Sequence, residues 1–396
     1  MTNEYRPFFS RKQITVLMWF SFLAIAVLST MGPGAVEYHD IEHSENKNLY
    51  WMELDDQPYT LTLLLPTAVA LNSQQRQLQQ LKSDVIHSRL HVLMSADFSY
   101  QVSPKQDRIE VTLRWALNQK TPDIQALLQT LSQPVIASEW AEAATKIKAR
   151  SYLNNQSAEQ ALLNQFYEQL QPMTATTLLD QLTHTYPELF LSPRVTISGE
   201  NVEDLAATIQ PLLPHQETGP TPAALTLSPQ QLNNTQDKQV YSLLLGRILP
   251  ARNAEQFTAE RVAAQVLQNL LQNYKEQNIL NFRMLWSAMA QSGYSALILT
   301  SAQNPVPLLP QLRQQLNDDL VESSQEQLVQ QWNDRMRDIN HQVSALNLVA
   351  FYQLPPETLE QYADSILDQD EDEILDITDK ALQTTNQISI LQSPSR

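Results

Sequence analysis

The chain has 396 residues, a formal net charge of −17, no cysteine and only 6 glycines. This length allows two ordinary domains, each with its own hydrophobic core. The negative charge argues against nucleic acid as a partner, because phosphate binding requires a basic surface. The lack of cysteine excludes disulfides and cysteine-bound metal, and so few glycines argue against a glycine-rich phosphate loop.

An apolar, uncharged run over residues 14–31 follows three basic residues, Arg6, Arg11 and Lys12. Its length is enough to cross a bilayer as a helix. The basic residues before it and the acidic residues after it place the N-terminus in the cytoplasm. We predict a cytoplasmic tail over residues 1–12, a transmembrane anchor over 13–31 and an exported body. A cleaved signal peptide is the alternative for this run.

The first half of the exported part begins with a polar linker over residues 32–47. Two strands, residues 49–54 and 59–65, are predicted as a hairpin around an Asp-Asp-Gln-Pro turn. A helix over residues 74–93 follows, and then two more strands and several helices up to residue 185.

Residues 194–214 combine a strand, a turn and a helix. Val195 and Ile197 alternate with polar residues, as in a half-buried strand, and Gly199 permits the turn. Asn201 is a candidate N-cap for an amphipathic helix that ends at two prolines. We place the end of the first domain, residues 48–214, at this helix.

The second half repeats the order of the first after a linker over residues 215–237. Matching elements are separated by a nearly constant number of residues, from 182 (Tyr59 to Tyr241) to 187 (Glu139 to Glu326). So steady a spacing indicates a duplication. We predict an α+β fold of two tandem homologous domains, residues 48–214 and 238–396, each an antiparallel sheet covered by helices.

Three stretches carry a resemblance to the insulinase/pitrilysin-type zinc peptidases, the family of mitochondrial processing peptidase. They are residues 194–214, the Ile-Leu-Asn-Phe-Arg-Met-Leu-Trp-Ser-Ala-Met-Ala-Gln-Ser-Gly-Tyr-Ser segment over 279–295, and residues 354–362. The second half resembles the family's second domain. The resemblance implies a peptidase-like fold over nearly the whole exported region.

Active members of this family bind zinc through His-x-x-Glu-His on the helix that follows the first two strands. In this sequence that helix carries His87 and His91 with no glutamate between them. The pattern occurs instead as His39, Glu42 and His43, in the predicted linker. We interpret it as a chance match in a polar linker and predict no metal or other cofactor. An active zinc peptidase that uses these three residues is the alternative.

Some bacterial members of the family work as two chains, of which one is catalytically silent and supplies an arginine and a tyrosine to the substrate. Tyr294 matches that tyrosine, and Ser287 occupies the arginine position. Arg283 would replace the arginine only if its segment, taken as a helix, is shifted by one turn. Tyr294 and Arg283 are therefore the candidate substrate-binding residues. A core aromatic is the alternative role for Tyr294.

From the apolar N-terminal run together with this resemblance we expect a periplasmic protein anchored in the bacterial inner membrane by its N-terminal helix. It would help a zinc-bearing peptidase of the same family to bind and enclose peptides, without catalytic residues of its own. A non-enzymatic envelope scaffold is the alternative from a different class of protein.

Overall fold

The computed structural model describes residues 36–93, 98–154, 158–213, 224–236, 239–274 and 279–395. The predicted tail and anchor lie outside these residues. Within them, no helix combines the length and the apolar character that crossing a bilayer requires. The fold is mixed α+β and is built on two sheets, and the chain from Tyr38 onward forms one unit.

The first sheet has six strands in the order β1-β2-β6-β3-β5-β4. All neighbours are antiparallel except β2 and β6. The strands are β1 (Ile41–His43), β2 (Leu49–Glu53), β3 (Tyr59–Pro66), β4 (Ser99–Pro104), β5 (Arg108–Trp115) and β6 (Arg194–Gly199).

The predicted hairpin of the first two long strands is wrong. β6 lies between β2 and β3 and pairs with both of them. The turn at residues 55–58 therefore crosses the end of β6, where the amide of Leu54 donates to the carbonyl of Gly199 at 2.9 Å. A turn and two alternating segments show that strands are present, but not which strand pairs with which.

The second sheet has five strands in the order β7-β11-β8-β10-β9. Its strands are β7 (Gln230–Gln236), β8 (Tyr241–Leu249), β9 (Ile279–Ala288), β10 (Gly293–Ser301) and β11 (Ile388–Pro394). In the order of the sheet these strands take the places of β2, β3, β4, β5 and β6 respectively, and β7 and β11 are the parallel pair, as β2 and β6 are in the first sheet. The shared order agrees with a duplication.

Twelve helices are present in the described part of the chain, together with short 3₁₀ turns at Gln210–Leu212 and Val306–Leu308. They are α1 (Ser73–Leu93), α2 (Ile124–Leu131), α3 (Ala137–Asn154), α4 (Ala158–Leu170), α5 (Leu178–Glu188), α6 (Val202–Ile209), α7 (Phe257–Tyr274), α8 (Leu309–Arg313), α9 (Asp318–Met336), α10 (Ile339–Tyr352), α11 (Thr358–Leu367) and α12 (Glu371–Ala381).

One face of each sheet is covered by helices of its own half. In the first half, Leu61, Leu63 and Leu65 alternate along β3 and pack against apolar residues of α1, α2, α3, α5 and α6. In the second half, Leu243 and Leu245 of β8 pack against α7 and the start of α8. The period of two in these strands places the leucines on one face.

The opposite face of each sheet is covered by a helix from the other half. α10 packs on β2, β6 and β3 of the first sheet, where Asn347 contacts Thr196. α4 packs on the second sheet, where Phe166 lies over Gly246 of β8. Both sheets are thus buried on both faces, which explains why their central strands contain few exposed residues.

Two segments predicted as linkers contain strands. β1 lies in the first linker and extends the first sheet, and β7 lies wholly within the second linker and pairs with β11. β7 is an edge strand of glutamine, asparagine and threonine around one leucine, so it has no alternating apolar pattern to predict it.

Asn201 occupies the predicted N-cap position of α6, but its side chain does not cap the helix. Asn201 has a φ of 51° and its side chain makes no capping bond. The carboxylate of Glu53, at the end of β2, accepts from the amides of Asn201 and Val202 instead. A tertiary contact therefore replaces the local cap at the start of α6.

Candidate functional site

A cavity of about 300 Å³ lies where the start of α1 meets the β4–β5 turn and the end of α4. It opens to solvent. Its lining residues are mostly amides and cations with a few apolar groups: Ala70, Leu71, Arg76, Gln79, Gln80, Pro104, Lys105, Gln106 and Tyr167.

The inner wall of the cavity joins the two halves of the chain. The side-chain amide of Gln106 donates through Nε2 to the hydroxyl of Tyr294 at 2.6 Å. The side-chain oxygen Oε1 of the same residue accepts from the hydroxyl of Ser287. The hydroxyls of Tyr294 and Tyr167 are 3.0 Å apart. Burial, and then the neighbouring Tyr167, raise the pKa of Tyr294 well above its usual range. Tyr294 therefore stays neutral and fixes Gln106.

The mouth of the cavity is held by side-chain amides that bind backbone. Gln79 donates to the carbonyls of Lys105 and Arg108, both at 2.9 Å, and so fixes the β4–β5 turn against α1. Gln171, just after α4, accepts from the amide of Leu71 at 3.0 Å and donates to the carbonyl of Val69 at 2.7 Å. The positions of the lining groups are therefore set before any ligand binds.

Arg76 is the cation nearest the inner wall. Its guanidinium lies 5.4 Å from the ring centre of Tyr167 and donates to the side-chain oxygen of Asn164 at 2.5 Å. Its buried Nε has no hydrogen-bond partner within the described residues. Lys105 is 45% exposed, and its Nζ is 3.5 Å from a carboxylate oxygen of Glu110.

A related contact joins the halves on the other side of the β4–β5 turn. The hydroxyl of Tyr352, at the end of α10, donates to Asp107 at 2.6 Å and accepts from Arg108 at 3.3 Å. Burial alone would lower the pKa of Arg108, but the charges of Asp107 and Glu110 outweigh it and raise that pKa above its usual value. The hydroxyl of Tyr352 thus bonds to a residue of the first half, as the hydroxyl of Tyr167 bonds to Tyr294 of the second half.

No known family model matches this chain, and no curated protein matches it in sequence. Solved structures match it in fold. A "peptidase M16 inactive domain" from Pseudomonas fluorescens superposes with a TM-score of 0.70 and 12% identity, over 91% of this chain and 98% of that one. A protease from Helicobacter pylori gives 0.68 and 12%, over 91% and 100% of the two chains.

The chain has the peptidase M16 fold. The periplasmic protease PqqL from Escherichia coli also superposes, with a TM-score of 0.62 and 12% identity, over 92% of this chain but only 47% of PqqL. The present chain therefore corresponds to about half of that longer protease. These likenesses show the fold, which is the one that the resemblance to the insulinase-type peptidases implies.

The M16 fold places the two predicted substrate-binding residues apart. Tyr294 is 2% exposed and pairs with Ser287 across β10 and β9. Arg283 lies four residues before Ser287, roughly 13 Å along β9. Its side chain is 54% exposed and forms an ion pair with Glu159. The segment is a strand, so the predicted helical shift of Arg283 does not occur.

The three residues of the His-x-x-Glu-His pattern do not share a face. Glu42 and His43 are neighbours on strand β1, so their side chains point to opposite sides of the sheet, and His39 lies before the strand. The ring of His43 lies beside that of Tyr50, 5.4 Å between centres. His87 and His91 are exposed on α1. The part of the chain that the structure describes holds no group of three potential metal ligands.

The zinc ion implied by the resemblance does not fit the cavity described above, which we call the junction cavity because its inner wall joins the two halves of the chain. Zinc takes thiolate, imidazole or carboxylate ligands. The α1 residues at the cavity are instead Arg76, Gln79 and Gln80, a cation and two amides. Such groups bind carbonyl or carboxylate oxygens and peptide amides rather than zinc.

Sequence reasoning missed Arg76, Gln106 and Tyr167. One signal for Tyr167 was available: the pair Phe166-Tyr167 recurs as Phe351-Tyr352, an offset of 185 residues (351 − 166) that agrees with the spacing of the duplication. Arg76 and Gln106 have no counterpart of this kind and stand out only through their position at the cavity.

Proposed function

We propose that this chain is a catalytically silent M16-type protein that binds and encloses peptides beside a zinc-bearing peptidase of the same family. The observation that carries the proposal is the chemistry of α1 at the junction cavity. Arg76, Gln79 and Gln80 cannot supply a zinc site, yet they line an ordered, open cavity suited to the polar groups of a peptide. We further propose that residues 13–31 anchor the protein in the bacterial inner membrane, with its body in the periplasm.

A strand edge next to the cavity supports a peptide as the ligand. β4 is an edge of the first sheet and is paired only with β5 among the described strands. Its last residue, Pro104, lines the cavity. An extended peptide that adds to this edge would gain backbone hydrogen bonds, and one end of it would reach the cavity. Such binding depends on length and shape more than on sequence.

The test uses the full chain mixed with an exported zinc-bearing M16-type peptidase from the same cell. Alone, the chain should hydrolyse no peptide. Added to that peptidase, it should raise kcat/KM for peptide hydrolysis. Tyr294→Phe should reduce the gain severalfold, because it removes the hydroxyl that fixes Gln106 at the cavity wall.

Tyr352→Phe is the control, because it also removes a hydroxyl that joins the second half to the first, but the partners of that hydroxyl, Asp107 and Arg108, do not line the cavity. It should leave the gain largely intact. If the chain does not change the turnover of the peptidase, the silent-partner role is wrong and the scaffold alternative remains.

A further inference from the structure

We propose that the junction cavity binds a carboxylate of the peptide, in the first place its C-terminal carboxylate, and that Arg76 is the counter-charge. The inference rests on the proposed function, which supplies a peptide as ligand, and it adds the chemical group that the cavity selects. It depends on three features: the charge of the cavity lining, the unfilled hydrogen bonds of Arg76, and the volume of the cavity.

The charge of the cavity is opposite to that of the protein. The chain has 43 acidic and 26 basic side chains. The residues that line the cavity nevertheless include two basic side chains, Arg76 and Lys105, and no acidic one, although Lys105 is paired with Glu110 next to the lining. In a protein of net charge −17, a concave site of the opposite sign favours an anionic ligand.

Among the described residues Arg76 has no carboxylate partner, whereas several other arginines do. Arg89 pairs with Glu139, Arg247 with Glu260 and Arg313 with Asp379. Arg76 instead contacts the neutral side chains of Asn164 and Tyr167.

The hydrogen bonding of Arg76 is incomplete as well, because its buried Nε has no partner in the described part of the chain. A carboxylate accepts two parallel N–H bonds from a guanidinium. If the Arg76 side chain rotates slightly, a carboxylate that enters the cavity would accept hydrogen bonds from Nε and from a neighbouring guanidinium N–H.

The size of the cavity suits the end of a peptide. About 300 Å³ is at the lower limit of small-molecule pockets. Because Pro104 and Lys105 connect the cavity to the edge of β4 that no described strand pairs, a peptide lying on that edge would place its terminus here rather than a mid-chain segment. Lys105 is exposed enough to turn toward the second oxygen of the carboxylate.

The test measures binding of short peptides to the full chain, without any peptidase, by calorimetry at low ionic strength. Ala-Ala-Ala as the free acid should bind at least tenfold more tightly than its C-terminal amide. Arg76→Gln should remove this preference. Arg313→Gln, which breaks an ion pair with Asp379 away from the cavity, should leave the preference unchanged. Thermal unfolding of both variants checks that they are folded.

A third peptide, Ala-Ala-Asp amide, separates the two sources of a carboxylate. If it binds no better than Ala-Ala-Ala amide, the site selects the C-terminus. If it binds as tightly as the free acid, the site accepts side-chain carboxylates too, and the inference still holds. Equal affinity for free acid and amide in the native chain, or the same preference in Arg76→Gln, would overturn it. Because no peptidase is present, failure of the partner assay is a separate result.

Discussion

Single residues at the junction illustrate what a sequence conveys about a site. The position of Tyr294 near the start of a strand follows from the duplication, which matches residues 294–300 to the strand at residues 108–115. The partners of its hydroxyl do not, because Tyr167 and Gln106 are 127 and 188 residues away. The role of such a side chain is decided by packing between distant elements, and one sequence does not encode that packing as a local pattern.

Lys82 on α1 is a buried cation whose effect on stability depends on pH. Its side chain is 4% exposed, and burial lowers its pKa from 10.5 to about 8, partly offset by Glu188. Between these two pKa values the unfolded chain binds a proton that the native chain does not, so the free energy of unfolding rises with pH there. Below pH 8 the full penalty, up to about 3 kcal/mol, is present.

We therefore expect Lys82→Met to stabilise the protein at pH 7, and the gain to shrink at pH 9.5. Urea unfolding of both proteins at the two pH values measures this. Ionisation of the buried tyrosines affects both proteins equally and cancels in the difference. A gain of the same size at both values would show that the ammonium group of Lys82 remains hydrated.

The elements of the fold were predicted better than their pairing. Most of the long strands and helices follow from the apolar periodicity of the sequence, and the strand at residues 194–199 was recognised, but β9 was taken as a helix. Its place between β2 and β3 was not, because hydrogen bonding between strands 130 or more residues apart leaves no local signal. β7 escaped prediction for a different reason: a polar edge strand resembles a linker.

The packing of α4 on the second sheet includes one very close contact. A Cβ at Gly246 would lie 2.2 Å from a ring carbon of Phe166 on α4. Gly246→Ala should therefore destabilise the protein by about 1–3 kcal/mol, since overpacking of this kind forces α4 away from the sheet. Denaturant unfolding measures the change.

A double-mutant cycle with Phe166→Ala provides the control for this contact. Without the ring, Gly246→Ala should cost much less than in the native background, and the coupling energy reports the steric contact. If the cost is the same in both backgrounds, the effect of the alanine lies in β8 itself and not in the packing of α4.

At the scale of the whole molecule, the duplication was predicted from the constant spacing of elements, and the shared strand order of the two sheets agrees with it. The interlocking of the halves was not predicted. Spacing gives the order of elements along the chain, but which sheet α4 or α10 covers depends on how the halves dock. The junction cavity exists only because of that docking, since Tyr167 reaches it from a helix packed on the second sheet.

Neither half should fold by itself. A fragment of residues 38–213 lacks α10 and would expose the face of the first sheet that carries Thr196. We expect it to lose near-ultraviolet circular dichroism and to bind a hydrophobic dye, as loosely packed proteins do. Co-expression with residues 224–396 should restore both signals to those of the intact protein. A fragment with a sharp, cooperative unfolding transition would contradict this.

The position of β11 between β7 and β8 has a consequence for synthesis of the chain on the ribosome. β6 joins β2 to β3 in the first sheet, and β11 joins β7 to β8 in the second. The strands of the first sheet therefore stay separate until residue 199 has been made, and those of the second until residue 394. α4 meanwhile has no sheet to cover until β8 and β10 exist. Contacts so distant in sequence form slowly, and unfinished apolar faces aggregate. A chaperone that shields the growing chain should therefore raise the yield of folded protein, and should be needed until the final strand is released.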